Sequence, residues 1–132
     1  MTDLPAARIL VIDDDAEIVD ILAAVLRAEG YHVLCALTAE DGLRLFILSR
    51  PDLVSLDIRV SDGMSGAAVL KRIRATNPAA RVVMVTANTD PELACEALEL
   101  GVVAYIDKPF DFAYLKRVIA MALQDGHPAG AD

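Results

Sequence analysis

Five short apolar runs, at residues 8–12, 31–36, 53–57, 81–85 and 102–106, alternate with stretches of helical periodicity. After the first run, Ile18, Ile21, Leu22, Val25 and Leu26 fall at i, i+3, i+4, i+7 and i+8, one apolar stripe closed by Gly30. Thr38 and Asp41 have the spacing of a capping box for a second helix ending near Ser49, before Pro51. A third helix runs from about Ser65 to Thr76 and stops at Asn77-Pro78. A fourth is capped by Thr89 or Asp90, has Pro91 in its first turn and ends at Gly101. The last starts near Asp111 and is expected to bury Phe112, Leu115, Ile119 and Ala122. Strand then helix, five times, with strands apolar on both faces, predicts an α/β domain: a doubly wound, five-stranded parallel sheet in three layers. Chain chirality makes the crossovers right-handed. The domain is expected to occupy residues 1–125, with 126–132 a flexible tail or the start of a linker.

Composition removes several function classes. A net charge of −8 argues against nucleic-acid binding through this domain. No apolar run is long enough to span a bilayer, and the N-terminus lacks the basic start and apolar block of a secretory signal. A cytoplasmic protein with no membrane contact is therefore expected. Lys71, Arg72 and Arg74 read as a solvated helix face. Cys35 and Cys95 are far apart and read as buried thiols; Met84 and Met121 read as core filler. His32 and His127 have no metal-ligand spacing.

The ends of the runs carry the chemistry. In a parallel sheet all strand carboxyl ends lie on one edge, where open α/β sheets bind ligands. Asp13, Asp14, Asp57, Thr86 and Lys108 stand at or just past such ends. Three carboxylates brought together repel, and each favours protonation unless a cation compensates. Lys108 is one such cation; a hard divalent ion is the other, and oxygen-only ligands suit Mg²⁺ better than zinc.

The segments Ile-Leu-Val-Ile-Asp13-Asp14-Asp15, Pro-Asp-Leu-Val-Ser-Leu-Asp57-Ile-Arg, Val-Met-Val-Thr86-Ala87 and Tyr105-Ile-Asp-Lys108-Pro109-Phe110 resemble the receiver domain of two-component response regulators. The match runs from about residue 8 to 123. The resemblance implies a flavodoxin-like fold with strand order 2-1-3-4-5. It also implies a phosphorelay switch that is not a turnover enzyme, although it promotes its own phosphorylation and dephosphorylation. Asp57 would accept a phosphoryl group from a sensor histidine kinase or histidine phosphotransfer protein. Asp14 and Asp57, with the backbone carbonyl of Arg59, would hold Mg²⁺, and Asp13 would act through a metal-bound water. Lys108 would pair with one phosphoryl oxygen and Thr86 would bond another. Tyr105 would change rotamer with Thr86 and reshape the face of helix four, strand five and helix five. That face could contact an output domain or target protein, or support a homodimer. The Lys108-Pro109 bond is usually cis in this family.

The loop after Asp57 departs from the family pattern. Ser61 takes the place of a proline, and Gly66 stands one residue late, so the segment 60–65 holds an extra residue. Asp62 is thereby a further candidate for the metal shell. Arg59 and Asn88 are expected to overhang the phosphoryl group and set how fast water removes it. Three other functions compete with this reading. An aspartyl phosphatase of the haloacid dehalogenase type would need an acid where Arg59 stands, and an FMN binder would not place three acids after its first strand. A receiver that no longer takes phosphate and serves only for docking is the alternative the altered loop leaves open.

Overall fold

The computed structural model describes residues 6–57, 65–87 and 91–125. Ten elements alternate: β1 (Arg8–Ile12), α1 (Ala16–Ala28), β2 (His32–Ala36), α2 (Ala39–Ser49), β3 (Leu53–Leu56), α3 (Gly66–Thr76), β4 (Val82–Thr86), α4 (Pro91–Glu99), β5 (Ala104–Asp107) and α5 (Phe112–Asp125). The strands form one parallel sheet in the order β2-β1-β3-β4-β5. Among the described residues no helix is long and apolar enough to cross a membrane.

Alternation along each strand divides the core between the two faces. Leu10, Ile12, Val54, Leu56, Val82 and Met84 pack with α2, α3 and α4. Ile9, Val11, Leu53, Val83, Val85 and Ile106 pack with α1 and α5. Gly42 lets α2 lie close on β1: a Cβ there would stand 2.6 Å from Ile12 Cδ1. Helix starts follow the side-chain chemistry. Thr38 accepts from the Asp41 N–H at 3.1 Å and Ser65 from the Ala68 N–H at 3.1 Å, each satisfying a donor that its helix cannot.

Five expectations need correction. Helix α1 buries Val19, Leu22, Ala23 and Leu26, while Ile21 is 44% exposed. Its apolar arc is broad, and small Ala23, which the periodic stripe passed over, lies against the sheet. Phe112 is 42% exposed and packs edge-on against Phe110, with ring centroids 5.7 Å apart. Met121 lies on the outer face of α5 and Cys95 on that of α4, both exposed. Arg74 is no solvated residue: its guanidinium is spent on backbone carbonyls, as described below.

Candidate functional site

The first and third strands end side by side. Ile12 is in register with Leu56, and the Asp57 N–H donates to the Ile12 carbonyl at 3.0 Å. The residues that follow, Asp13 and Asp57, are thus forced into adjacency by the ladder. The three consecutive acids after β1 then divide. Asp13 turns into the protein, with its N–H on the Ala36 carbonyl and its Oδ1 accepting from the Asp15 N–H. Asp14 faces outward. Asp15 caps α1, accepting from the N–H groups of Glu17 and Ile18 at 3.0 and 3.4 Å. This capping role was not separated out in the sequence, although an acid directly before a helical stripe is its usual signal.

Lys108 comes from the far end of the sheet. Its N–H donates to the Thr86 carbonyl at 2.9 Å, and the peptide bond to Pro109 is cis. The side chain crosses the ends of β4 and β3. Nζ lies 2.6 Å from Asp13 Oδ2 and 3.1 Å from Asp57 Oδ2. Carboxylate oxygens of Asp13, Asp14 and Asp57 all lie within 4.8 Å of one another. Asp13 and Asp57 are 2% and 6% exposed, so their charges are poorly screened.

The protonation equilibria reflect that crowding. Burial pushes the Asp13 carboxyl above its usual range, against the opposing pull of Lys108 and the Asp15 N–H; the Asp57 charge pushes the same way. Burial alone would depress the Lys108 ammonium, but its bonds and charge contacts with Asp13 and Asp57 outweigh that and raise it. Lys108 is therefore a permanent cation at neutral pH. Among the described residues three carboxylates gather around one ammonium, and their donor atoms are all oxygen. That set fits a hard divalent cation such as Mg²⁺.

Thr86 is fully buried at the end of β4. Register pairs Met84 with Tyr105, and alternation puts Thr86, Met84 and Tyr105 on one sheet face, the face covered by α4. Tyr105 is half-buried against that core. Arg59, and with it Ser61, Asp62 and Asn88, lies outside the described residues. The structure adds a feature that strand ends alone did not suggest. An apolar hollow of about 350 Å³ opens beside Lys108, lined by Ile18, Ile21, Leu22, Pro109, Phe110 and Phe112.

Comparison with known proteins agrees with this arrangement. Residues 9–120 match the family model of the response regulator receiver domain. The transcriptional regulatory protein ZraR of Salmonella typhimurium is 40% identical over 124 residues, covering 94% of this chain and 28% of that protein. The sporulation initiation phosphotransferase F of Bacillus subtilis is 33% identical over 112 residues, covering 85% of this chain and 90% of that one. A solved CheY-like receiver domain protein from Methanospirillum hungatei superposes with a TM-score of 0.88 at 33% identity, over 92% of this chain and 96% of that one. The chain spans little more than a quarter of the length of the ZraR relatives it matches. On fold, site geometry and sequence together, this chain belongs to the response regulator receiver domain family of two-component signalling.

Proposed function

We propose that the chain takes a phosphoryl group from a phosphohistidine, on a sensor kinase or histidine phosphotransfer protein, onto Asp57. The observation that carries this is the single ammonium of Lys108 bridging Asp13 and Asp57 at 2.6 and 3.1 Å, inside a cluster of three carboxylates. Among the described residues, one cation beside three acids makes a site rich in negative charge and suited to a metal and a phosphoryl group together. Asp13, Asp14 and Asp57, with the backbone carbonyl of Arg59, would hold Mg²⁺. When bound, Mg²⁺ offsets negative charge on the transferring group.

The chain's own residues do the rest. An Asp57 oxygen attacks phosphorus in line with the leaving nitrogen. The P–N bond breaks, its electron pair stays with the imidazole, and the ring nitrogen takes up a proton. Lys108 moves its ammonium from the carboxylates to a phosphoryl oxygen, and the Thr86 hydroxyl bonds another. Position and charge supply most of the rate, since phosphoryl transfer asks for little covalent work by the protein. The hollow beside Lys108 is an apolar surface contiguous with the site and can seat the donor's helix. The chain speeds its own labelling and its loss without turning over a substrate. Movement of Thr86 toward the phosphoryl group frees space for Tyr105, and the face of α4, β5 and α5 shifts population between two packings. That face would meet an output domain, a target protein or a second copy.

Incubation with acetyl phosphate and Mg²⁺, followed by intact-mass measurement, tests the proposal. Wild type should gain one phosphoryl group, and Asp57→Asn or removal of Mg²⁺ should reduce labelling at least about 100-fold. A wild-type protein that gains no mass would sink it and leave a docking module that takes no phosphate.

A further inference from the structure

Helix α4 is the least buried of the five. Ala97 is its one fully buried residue, with Leu93 and Leu100 partly buried against the core. Its exposed ion pair to α3, Lys71 with Glu96 at 3.4 Å, holds little.

Its two ends differ. At the C-terminal end, Gly101 adopts a left-handed φ of +87°, its N–H donates to the Leu98 carbonyl at 3.0 Å, and the Val102 N–H donates to the Ala97 carbonyl at 3.3 Å. This is the paired 5→2 and 6→1 closure of a Schellman motif. The carbonyls of Leu100 and Gly101 lie just beyond that closure. Arg74, at the end of α3, takes them: Nε donates to the Leu100 carbonyl at 2.8 Å, and Nη2 to that of Gly101. Its Nη1 meanwhile donates to Pro78 and Ala80 in the turn before β4, at 2.8 and 2.7 Å. One planar cation thus ties three segments together: the end of α3, the approach to β4 and the end of α4. A lysine could not satisfy both carbonyl pairs at once, because its donors radiate from one nitrogen. The fit is close, for a Cβ at Gly101 would sit 3.0 Å from Nη2. The opposite end of α4 follows Thr86 in the chain and carries the exposed Pro91, Glu92 and Cys95.

We propose that Arg74 is the pivot of α4: it fixes the C-terminal turn, so that a change at Thr86 swings the N-terminal half of the helix about that point. Arg74 is a positioning residue, some way from the reacting atoms. The pivot bears on signalling only if Asp57 takes phosphate as proposed above.

Hydrogen exchange of the full chain, read by mass spectrometry, tests this in two arms. In unphosphorylated protein, Arg74→Met should speed exchange of the Leu100, Gly101 and Val102 amides at least about tenfold while amides of β3 stay within twofold. Unchanged exchange at that turn would remove the anchor and with it the pivot. The second arm adds acetyl phosphate and Mg²⁺, where labelling of Asp57 in the variant should stay within twofold of wild type. In wild type the exchange change within α4 should stop before Leu98; in Arg74→Met it should run through Val102. A wild-type response that already reaches Val102, or a variant response that stops where wild type does, overturns the pivot. No phosphoryl mass on wild type would sink the phosphoacceptor function and the signalling role of the pivot, while the first arm still decides the anchor. Should Arg74→Met not fold, Arg74→Lys carries both arms with a smaller effect.

Discussion

The two edges of the sheet are both crowded with charge, and they use it in opposite ways. Strands deliver their carboxyl ends to one edge, and the helices, running back, bring their own carboxyl ends to the other. The amino edge therefore collects unsatisfied helix carbonyls and the negative ends of helix dipoles. Arginines meet them: Arg8 donates to the Ser49 carbonyl at the end of α2, Arg81 to Leu123 in α5, and Arg74 to Leu100 and Gly101 after α4. Each guanidinium is matched to acceptors that the fold would otherwise leave open, and the outcome is stability. At the carboxyl edge Lys108 bridges Asp13 and Asp57 with Asp14 close by, more acid than base among the described residues, and on the proposed function that mismatch suits the edge to a metal and a phosphoryl group. Charge matched to backbone holds the protein together; charge left unmatched is available for chemistry.

The strongest challenge to that contrast is at Lys108. It is the cation of the reactive edge, but it also occupies carboxylates that a metal would use. Lys108→Met should slow labelling by acetyl phosphate about 100-fold, the scale for losing one charge-stabilising donor. It should at the same time tighten Mg²⁺ binding several-fold, because the ion no longer competes with an ammonium bonded to Asp13 and Asp57. Calorimetric titration with Mg²⁺ reads the second effect. Weaker Mg²⁺ binding in the variant would mean that Lys108 organises the carboxylates instead of competing for them.

At the amino edge the effect should be smaller and of a different kind. Arg81→Met removes the 2.9 Å bond to the Leu123 carbonyl and should cost about 1–2 kcal/mol of unfolding free energy in denaturant titration. Labelling of Asp57 should stay within twofold. A variant that keeps its stability but labels poorly would erase the division of labour between the edges.

Much of this was legible in the residues, and the exceptions share a cause. Strand identity follows from apolar runs that end in polar groups, whereas the gathering of Asp13, Asp57 and Lys108 also needs the 2-1-3-4-5 strand order, which the resemblance implied and the pattern did not fix. Strand starts were less clear. Tyr31 and Val102 read as strand residues because they are apolar, yet each is the residue past a helix-closing glycine, donating back to Leu26 and Ala97. Their hydrophobicity serves the helix cap. Thr86, expected just past β4, is its last residue. The phase of α1 was misplaced because an arc with six large aliphatic residues does not mark its own centre. Ile21 is turned out beside the hollow at Lys108. Arg74 read as surface because its partners are carbonyls, and backbone acceptors leave no trace in side-chain patterns.

The smallest effect is at Asp13, where the sign is the informative part. Its folded pKa lies above the usual carboxylate value, with burial the first cause. A carboxyl whose folded pKa is raised favours the native state when protonated, and that contribution is lost as pH rises through the folded value. At neutral pH the metal-free protein therefore carries a carboxylate that it would fold better without. Asp13→Asn keeps an oxygen to accept from the Asp15 N–H while removing the charge, and its amide nitrogen takes the place of the oxygen that accepts from Lys108. In EDTA at neutral pH it should melt a few degrees higher than wild type, about 1 kcal/mol. The difference should shrink as pH falls below the raised pKa toward the ordinary carboxylate range, where wild type is protonated too. With excess Mg²⁺ the order should invert, because ligand binding stabilises only the protein that retains the site. A variant that melts below wild type in EDTA would show that the Asp13–Lys108 contact outweighs the crowding of three acids, and the carboxyl edge would then be held together much as the amino edge is.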